Sequence, residues 1–556
     1  MTTEGTQLLE AATLPKDLAA CHALIRQLLE QLNNSTRKLT QMEHQLQQLL
    51  RRLYGRSSEK IDPKQMVLFA EMLKQLEAQN PPVQPQPEPA APPAAPRKGH
   101  GRRRIPDDLP RERRIHDLPE NEKPCPCCGT MREIIGQEVS EQLDIEPAKL
   151  KVIEHVRLKY ICKACEKQAA EGGPQIATAE KPLSPIEKGL AAPGLLSYVI
   201  VSRFCDHMPY YRMEQMLKRA GIPLARSTQC GMAAQSGDVL LPLVDLMAQD
   251  VKASDVIHTD DTPVDVLDRQ LHKTRQGRFW VYLGDESHPH IVFDYTPNRT
   301  RDGPMTFLKD WGNDKRKFLQ ADAFGGYDGI YAGQAGGNVV EVACWAHCRR
   351  YFYEARGSDP ARSVQALAYI RLLYDVETQA REQFRAQEDE AKADRTPPTG
   401  LRGATPSQKR TLADIRMELR QKLSVGRLGE FKAWLESLQA TGGGPVLPKS
   451  PMGQAITYAL NQWDALKVYT TNGALNIDNN AAENALRRIA VGRKAWLFCG
   501  SDNGGRTAAI LFSLIATCQR HNVDPFAYLR DVLTRIASHP HNRLAELLPD
   551  RWKPLA

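Results

Sequence analysis

The sequence predicts a multidomain α+β protein, and three features support that prediction. The chain has 556 residues, which at about 150 residues per domain suggests three or four folding units. A heptad repeat near the start, paired cysteines after it and strand-like segments with carboxylates further on indicate units of different architecture. No stretch approaches the roughly 18 uninterrupted apolar residues that span a bilayer, and no secretory signal begins the chain. We therefore expect a cytoplasmic protein without disulfides.

Residues 14–56 are predicted to form a coiled coil. Leucine or isoleucine recurs at every seventh position from Leu18 to Leu53, and apolar residues hold the partner position of each heptad except at Ser35. A repeat of this length with polar outer faces favours self-association over a helix docked on its own chain. We expect a homo-oligomer held through this helix.

Residues 80–118 are predicted to be a proline-rich linker followed by a basic arm. Residues 80–96 contain eight prolines, and the arm at 97–116 carries a local charge of +5 in a chain whose net charge is +8. Clustered basic residues bind DNA by releasing counterions, although a solvated linker has the same composition. The candidate DNA contacts in the arm are Arg102, Arg103 and Arg104.

Residues 119–175 are predicted to form a zinc ribbon. Four of the 12 cysteines stand in two CxxC pairs that bracket a β-rich stretch from Val152 to Ile161. Four thiolates at such spacing hold Zn²⁺ tetrahedrally and close a fold too small to have its own core. The predicted ligands are Cys125, Cys128, Cys162 and Cys165, with Cys127 as an alternative to either of the first two.

Residues 182–250 are predicted to form a helical DNA-binding region. The pattern indicates two helices, a turn at Gly221 and a third helix that Ser227 would cap. This is the arrangement of a helix-turn-helix, but plain helical bundles show it equally often.

The segment after this region carries the chemistry. Five strand-like runs, at 255–261, 279–283, 290–295, 317–321 and 339–343, have helices between the last three. The order β-β-β-α-β-α-β is the layout of a ribonuclease H-like fold, in which Asp260 or Asp261 on the first strand would lie beside Asp322 after the fourth. A helix capped by Asn479 or Asn480 places Glu483 in its first turn. Three carboxylates suit two Mg²⁺ or Mn²⁺ ions and phosphodiester chemistry.

Other side chains near these carboxylates have two interpretations each. Basic residues after Glu483 suit a phosphate track, and two arginines after Trp345 suit contact with DNA or with the active site. Trp496 and Phe498 are expected to fill a core rather than to stack on a base. Cys344, His347 and Cys348 form a possible metal site, but with no fourth ligand nearby we expect the two cysteines to pack in a core and His347 to lie near the DNA or the active site. The candidate DNA contacts are Arg349, Arg350, Arg487, Arg488, Arg493 and Lys494.

Seven short pieces of the sequence resemble, in the same order, the large transposase of the insertion-sequence-sixty-six family. The resemblance covers nearly the whole chain and implies a bacterial, nucleoid-associated DDE transposase in which Asp260, Asp322 and Glu483 are the triad. It also implies accessory proteins of the same element. The sequence departs from the family at Asp261, where glutamate is usual, at Asn484, and at Arg506 with Thr507. The pieces span 53–60, 125–129, 258–263, 321–327, 344–350, 479–483 and 492–502.

The resemblance completes the predicted domain organisation. The catalytic domain occupies 251–354 and 476–515, an α-helical insertion occupies 355–475, and a C-terminal helical segment occupies 516–556. The predicted function is cleavage and strand transfer of DNA at the ends of an insertion sequence. The alternatives are a catalytically inactive DNA-binding regulator and a structure-selective nuclease of the same fold.

Overall fold

A computed structural model describes most of the chain after residue 182. The predicted coiled coil, linker, basic arm and four zinc-binding cysteines lie outside the described residues and stay predictions. Of the predicted β-rich stretch, 151–156 is exposed and irregular, and β1 (Lys159–Ile161) pairs antiparallel with β2 (Ile176–Thr178). No helix in the described part of the chain is long and apolar enough to cross a membrane. The described residues are 151–156, 159–161, 176–178, 183–187, 189–268, 270, 272–334, 337–393, 410–439 and 445–555.

The three predicted helices at 182–250 are present: α1 (Pro193–Phe204), α2 (Tyr210–Arg219) and α3 (Arg226–Ala253). Gly221 follows α2 with a φ of +89°, a left-handed conformation that glycine adopts without strain. The prediction that Ser227 caps α3 is wrong, because α3 begins at Arg226 and makes no side-chain cap bond. Buried side chains of α1 and α3 belong to the same hydrophobic core as the sheet that follows, so these helices are built into the sheet domain.

The sheet has the strand order β5-β4-β3-β6-β7, with a short β8 also paired to β3. Strands β3, β4 and β5 run antiparallel, whereas β6, β7 and β8 run parallel to their neighbours. Short helices α4 (Asp302–Phe307) and α5 (Asp328–Tyr331) flank β6. The strands are β3 (Val256–Asp268), β4 (Lys273–Leu283), β5 (Ile291–Thr296), β6 (Lys317–Gln320), β7 (Val339–Val342) and β8 (Phe498–Cys499).

The central strand differs from its prediction in one respect. It is 13 residues long, so Asp260 and Asp261 lie in its middle and not at its end. Pairing with β4 covers His258 to Asp268, but β6 pairs only with 256–258 and β8 only with 265–266. One edge of β3 is therefore open in between, and there Pro263 costs no ladder hydrogen bond.

The described part of the region predicted as an insertion is mostly helical, with short turns and one isolated β-bridge between Gln439 and Val446. Its helices and the preceding α6 enclose a second core around Trp345, Phe431 and Trp463. The helices are α6 (Trp345–Ala355), α7 (Pro360–Ala393), α8 (Leu412–Leu419), α9 (Val425–Leu438), α10 (Pro451–Asn461) and α11 (Trp463–Lys467), with a π-helical turn at Arg420–Ser424.

Three further helices complete the described chain: α12 (Asn480–Trp496), α13 (Asp502–Arg520) and α14 (Pro525–Arg535). Helix α12 packs on β3, α13 on β5 and α14 on α1. Since α13 is continuous across 515 and 516, the boundary predicted there falls inside a helix.

A buried ion pair ties the insertion to the chain that leads back to the sheet. The guanidinium of Arg420 is fully buried and donates to both carboxylate oxygens of Glu377, at 2.7 and 2.9 Å. Its other hydrogen bonds go to the carbonyls of Tyr469, Asn472 and Leu475, at 2.8 to 3.0 Å. One side chain thus fixes α7 and the loop that enters α12.

We predict that Arg420→Ala lowers the thermal unfolding midpoint, because buried Glu377 then keeps only its ion pair with Arg416, at 3.4 Å, among the described residues. Loss of one member of a buried pair typically costs about 3–5 kcal/mol. Lys467→Ala is the control, since its partner Asp464 is exposed, and the midpoint should not change measurably. Equal midpoints for the two variants would contradict the assignment.

Candidate active site

Parallel strand register brings Asp260 and Asp322 together. His258 on β3 pairs with Gln320 on β6, and side chains two residues further along each strand point to the same face. Asp260 and Asp322 therefore lie side by side where β6 ends, as the sequence predicted. Each is close enough to other acidic groups for their charges to affect its protonation.

Glu483 reaches this pair from the helix that covers the same face of β3. It lies in the first turn of α12, as predicted, with a side chain that is 27% exposed. Its Oε1 faces Nε2 of His347 at 3.6 Å, and its Oε2 faces a guanidinium nitrogen of Arg350 at 3.8 Å. The three carboxylates thus converge from two strands and a helix.

Hydrogen bonds between the Asn479 side chain and β3 fix the start of α12 on that strand. The side-chain amide of Asn479 donates to the carbonyl of Thr259 at 2.8 Å, so its oxygen is the acceptor for Nδ1 of His258 at 3.1 Å. Nε2 of His258 then accepts from the amide of Asn476 at 3.2 Å. Burial lowers the pKa of His258, in agreement with this neutral tautomer. Asn479 stands at the N-cap, as predicted, but its side chain binds β3 instead of capping the helix.

Residues 476–479 are also held by β6 and by the start of α6. Gln320 at the end of β6 donates to the carbonyl of Asn476 at 2.8 Å. At the start of α6, the backbone N–H of Trp345 donates to the carbonyl of Ile477 at 3.2 Å, and Sγ of Cys344 accepts from the backbone N–H of Asn479 at 3.1 Å. The position of Glu483 is therefore set by contacts with β3, β6 and α6.

The protein neutralises the carboxylate cluster only in part, because Arg299 lies 3.7 Å from Asp322 and Arg350 lies 3.8 Å from Glu483, beyond hydrogen-bond distance. Burial raises the pKa of Asp260 to about 7, and the charges of Asp322, Asp261 and Glu483 act in the same direction against one backbone hydrogen bond. Burial also raises the pKa of Asp322, opposed by Arg299. Asp322 Oδ1 and Glu483 Oε1 are buried and find no hydrogen-bond donor among the described residues. Unpaired oxygens of this kind fit a divalent cation with oxygen ligands.

Asp261 has a different environment from its neighbour. Its side chain is 1% exposed; Oδ2 accepts from Arg278 at 2.9 Å and Oδ1 accepts two bonds from Arg299, at 3.0 and 2.8 Å. Both oxygens are thus saturated, which favours Asp260 as the ligand of the two that the sequence left open. Sequence reasoning missed both arginines, although a pair of adjacent aspartates in a buried strand requires cations nearby.

The predicted DNA contacts are not equivalent in the structure. Arg493 donates to Thr262 Oγ1 at 2.9 Å and to the carbonyl of Pro263 at 2.5 Å, so it completes the open edge of β3. Arg488 is half-buried, which lowers its pKa. Arg350, Arg487 and Lys494 are exposed, Arg349 is partly exposed, and Arg102, Arg103 and Arg104 lie outside the described residues.

Two aromatic predictions have opposite outcomes. Trp496 is buried in the core, as predicted, whereas Phe498 is 41% exposed, so the prediction that it fills a core is wrong. Phe498 lies on β8, a strand of two residues that pairs with β3, and only its neighbour Cys499 is buried there. Cys348 is buried in the second core, as predicted.

Comparison with known proteins gives a consistent result. A family model described as Transposase IS66 family matches residues 188–507. Models described as IS66 C-terminal element, zinc-finger binding domain of transposase IS66, and Transposase C of IS166 homeodomain match 513–549, 122–166 and 41–114. The zinc-finger match contains all four predicted zinc ligands, and the homeodomain match overlaps the predicted coiled coil, linker and arm.

Curated relatives include three proteins of Sinorhizobium fredii, named uncharacterized proteins y4hP, y4qI and y4jD. They are 30%, 31% and 28% identical to this chain over 82%, 79% and 81% of its length. The matches cover 78%, 76% and 81% of the relatives' own lengths.

We predict opposite stability effects for substitutions at the two adjacent aspartates. Protonation of Asp260 stabilises the metal-free fold; this contribution is complete below its ordinary pKa of 3.8 and is lost as the pH rises through about 7. Asp260→Asn should therefore raise the unfolding midpoint, with a gain that grows by about 2 kcal/mol between about pH 5.5 and 8. Asp261→Asn should lower the unfolding midpoint at both pH values, because it breaks the ion pairs with Arg278 and Arg299. Thermal unfolding with a chelator measures both, and shifts in the same direction would contradict the assignment.

Proposed function

The chain belongs to the IS66 family of transposases, and from that membership we propose that it cuts and joins DNA at the ends of an insertion sequence. Asp260, Asp322 and Glu483 are the DDE triad in this proposal. The observation that supports it best is their convergence from β3, β6 and α12, with two carboxylate oxygens left unpaired.

We assign the catalytic domain to the ribonuclease H-like fold. The supporting observation is the strand order β5-β4-β3-β6-β7, three antiparallel strands followed by two parallel ones. The catalytic domain then comprises 251–354 and 476–515, and the helices at 355–475 are an insertion. After this insertion, the hydrogen bond from the Asn479 side chain to the carbonyl of Thr259 holds the chain against β3.

Asp260, Asp322 and Glu483 would hold Mg²⁺ or Mn²⁺, the hard cations that carboxylate oxygens prefer. When bound, such cations activate water and stabilise the departing oxygen of a phosphodiester. Asp261, saturated by Arg278 and Arg299, keeps the charge of β3 balanced beside the site. His258 and Asn479 hold Glu483 in place.

The reaction has two phosphoryl transfers without a covalent protein intermediate. In the first, a bond forms between water oxygen and phosphorus, and the bond to the 3′ oxygen of the element end breaks. In the second, the freed 3′-hydroxyl attacks a phosphodiester of target DNA in line and displaces its 3′ oxygen. In this proposal the DNA contacts Arg350 on α6 and Arg487 and Lys494 on α12. All three side chains are exposed.

Other parts of the chain bind DNA or partners in this proposal. The basic arm and the zinc ribbon bind DNA, and the helices at 182–250 contribute to end recognition. The helix at 14–56 joins copies of the chain into a homo-oligomer. Accessory proteins of the same element are further expected partners.

We predict that strand transfer requires all three carboxylates. Labelled element ends, taken from the terminal inverted repeats that flank the gene, are incubated with target DNA and Mg²⁺. Asp260→Asn, Asp322→Asn and Glu483→Gln should each lower the yield of joined product at least about 100-fold, since each removes a ligand worth several kcal/mol of transition-state stabilisation.

Asp265→Asn is the matched control, because Asp265 lies on the same strand but is exposed and outside the cluster. It should retain activity. Equal activity of the wild type and Asp322→Asn would contradict the catalytic role of Asp322. No activity in either would contradict the proposal and favour a DNA-binding regulator. Cleavage without joined products would indicate a nuclease instead.

We also predict one tightly bound zinc ion per chain, held by Cys125, Cys128, Cys162 and Cys165. Cys162→Ser should lose this ion and weaken DNA binding, because a structural zinc site provides the folding free energy of so small a unit. Metal analysis of the purified chain measures the zinc content. Cys127→Ser should retain the ion, and loss of zinc from that variant would exchange the roles of Cys127 and a neighbouring cysteine.

A further inference from the structure

A second group of metal-binding side chains adjoins the carboxylate cluster. One donor atom from each of Cys344, His347 and Glu483 lies within 4.8 Å of the other two. From the sequence, Cys344 and His347 lacked a further ligand, and the fold supplies one from α12. Glu483 belongs to the triad, so the two groups share one carboxylate.

One of the ligand separations in this group already suits a bound ion. A tetrahedral ion with bonds of about 2.0–2.3 Å holds its ligand atoms roughly 3.3–3.8 Å apart. His347 Nε2 and Glu483 Oε1 are already 3.6 Å apart, too far for a hydrogen bond. Glu483 Oε1 and the other ring nitrogen of His347, Nδ1, are both buried without a hydrogen-bond partner among the described residues. A cation between these side chains would satisfy the carboxylate oxygen that the fold leaves unpaired.

We propose that Cys344, His347 and Glu483 form a site for a borderline or soft divalent cation of the Zn²⁺, Co²⁺ or Cd²⁺ class. Sulfur and imidazole nitrogen select such ions over Mg²⁺, which prefers oxygen alone. With three protein ligands the site keeps one position for water. On binding, the Cys344 thiol proton passes to solvent as the sulfur–metal bond forms, and no electrons are transferred.

The shared carboxylate gives this site a consequence for activity. An ion bound by Cys344 and His347 draws Glu483 toward α6 and away from Asp260 and Asp322. If the proposed function holds, such an ion therefore inhibits strand transfer in competition with Mg²⁺. Cys344 is 1% exposed, whereas His347 and Glu483 are 21% and 27% exposed, so an ion enters from their side.

Co²⁺ binding tests the site without reference to activity. The full chain, with zinc already in its zinc finger, is titrated with Co²⁺ while sulfur-to-cobalt charge-transfer absorption is recorded. We expect one further equivalent with a thiolate band in the wild type. Cys344→Ser should abolish the band, and His347→Gln should weaken Co²⁺ binding by at least about 10-fold.

Cys348→Ser is the matched control: the same substitution, one turn further along α6, at a buried cysteine outside the group. It should bind Co²⁺ as the wild type does. The proposal is overturned if the wild type shows no thiolate-to-cobalt band other than one from the zinc ribbon. It is also overturned if Cys344→Ser and Cys348→Ser lose this band to the same extent. His347→Gln, at a partly exposed position, keeps the test valid if a cysteine variant fails to fold. An inactive chain that still binds Co²⁺ this way would refute only the transposase chemistry.

Discussion

The docking of residues 476–479 on the sheet is the constraint on which the candidate active site depends. Two of the three carboxylates come from adjacent parallel strands, but the third arrives after more than a hundred residues of helical insertion. Asn479 binds both the carbonyl of Thr259 and the ring of His258, and Gln320 and Cys344 bind the same segment from other elements. Arg420 fixes the chain just before it. The steps from insertion to site are thus buried or partly buried directional hydrogen bonds, which tolerate little displacement.

The second constraint is electrostatic. The carboxylates of Asp260, Asp261, Asp322 and Glu483 lie within one small region, but their environments are of two kinds. Asp261 is neutralised by Arg278 and Arg299, while the pKa of Asp260 is raised to about 7 and oxygens of Asp322 and Glu483 stay unpaired. Leaving buried charge uncompensated destabilises the metal-free fold. Such a cost is typical of functional sites, where a ligand provides the missing charge.

Sequence patterns predicted the order of strands and helices along the sheet-forming segment, the helices at 182–250 and the place of Glu483 in the first turn of its helix, because periodicity and turn residues are local signals. They misplaced Asp260 and Asp261 at a strand end, since the length of β3 is set by pairing with β4 rather than by its own residues. The predictions that Ser227 caps a helix and that Phe498 is buried were wrong for the same reason. Helix capping and side-chain burial both depend on where neighbouring elements lie. The Arg278 and Arg299 partners, and Glu483 as the neighbour of Cys344 and His347, arise only from tertiary contacts.

The proposed function requires that Asp260, Asp322 and Glu483 bind the same catalytic cations. A crystal structure of the chain with a cleaved element end and Mn²⁺, with anomalous scattering used to locate manganese, tests this requirement most directly. We expect manganese at about 2.1 Å from oxygens of all three carboxylates, with Asp261 still bound to Arg278 and Arg299. Manganese bound elsewhere, or Glu483 directed away from both aspartates in the DNA complex, would contradict it.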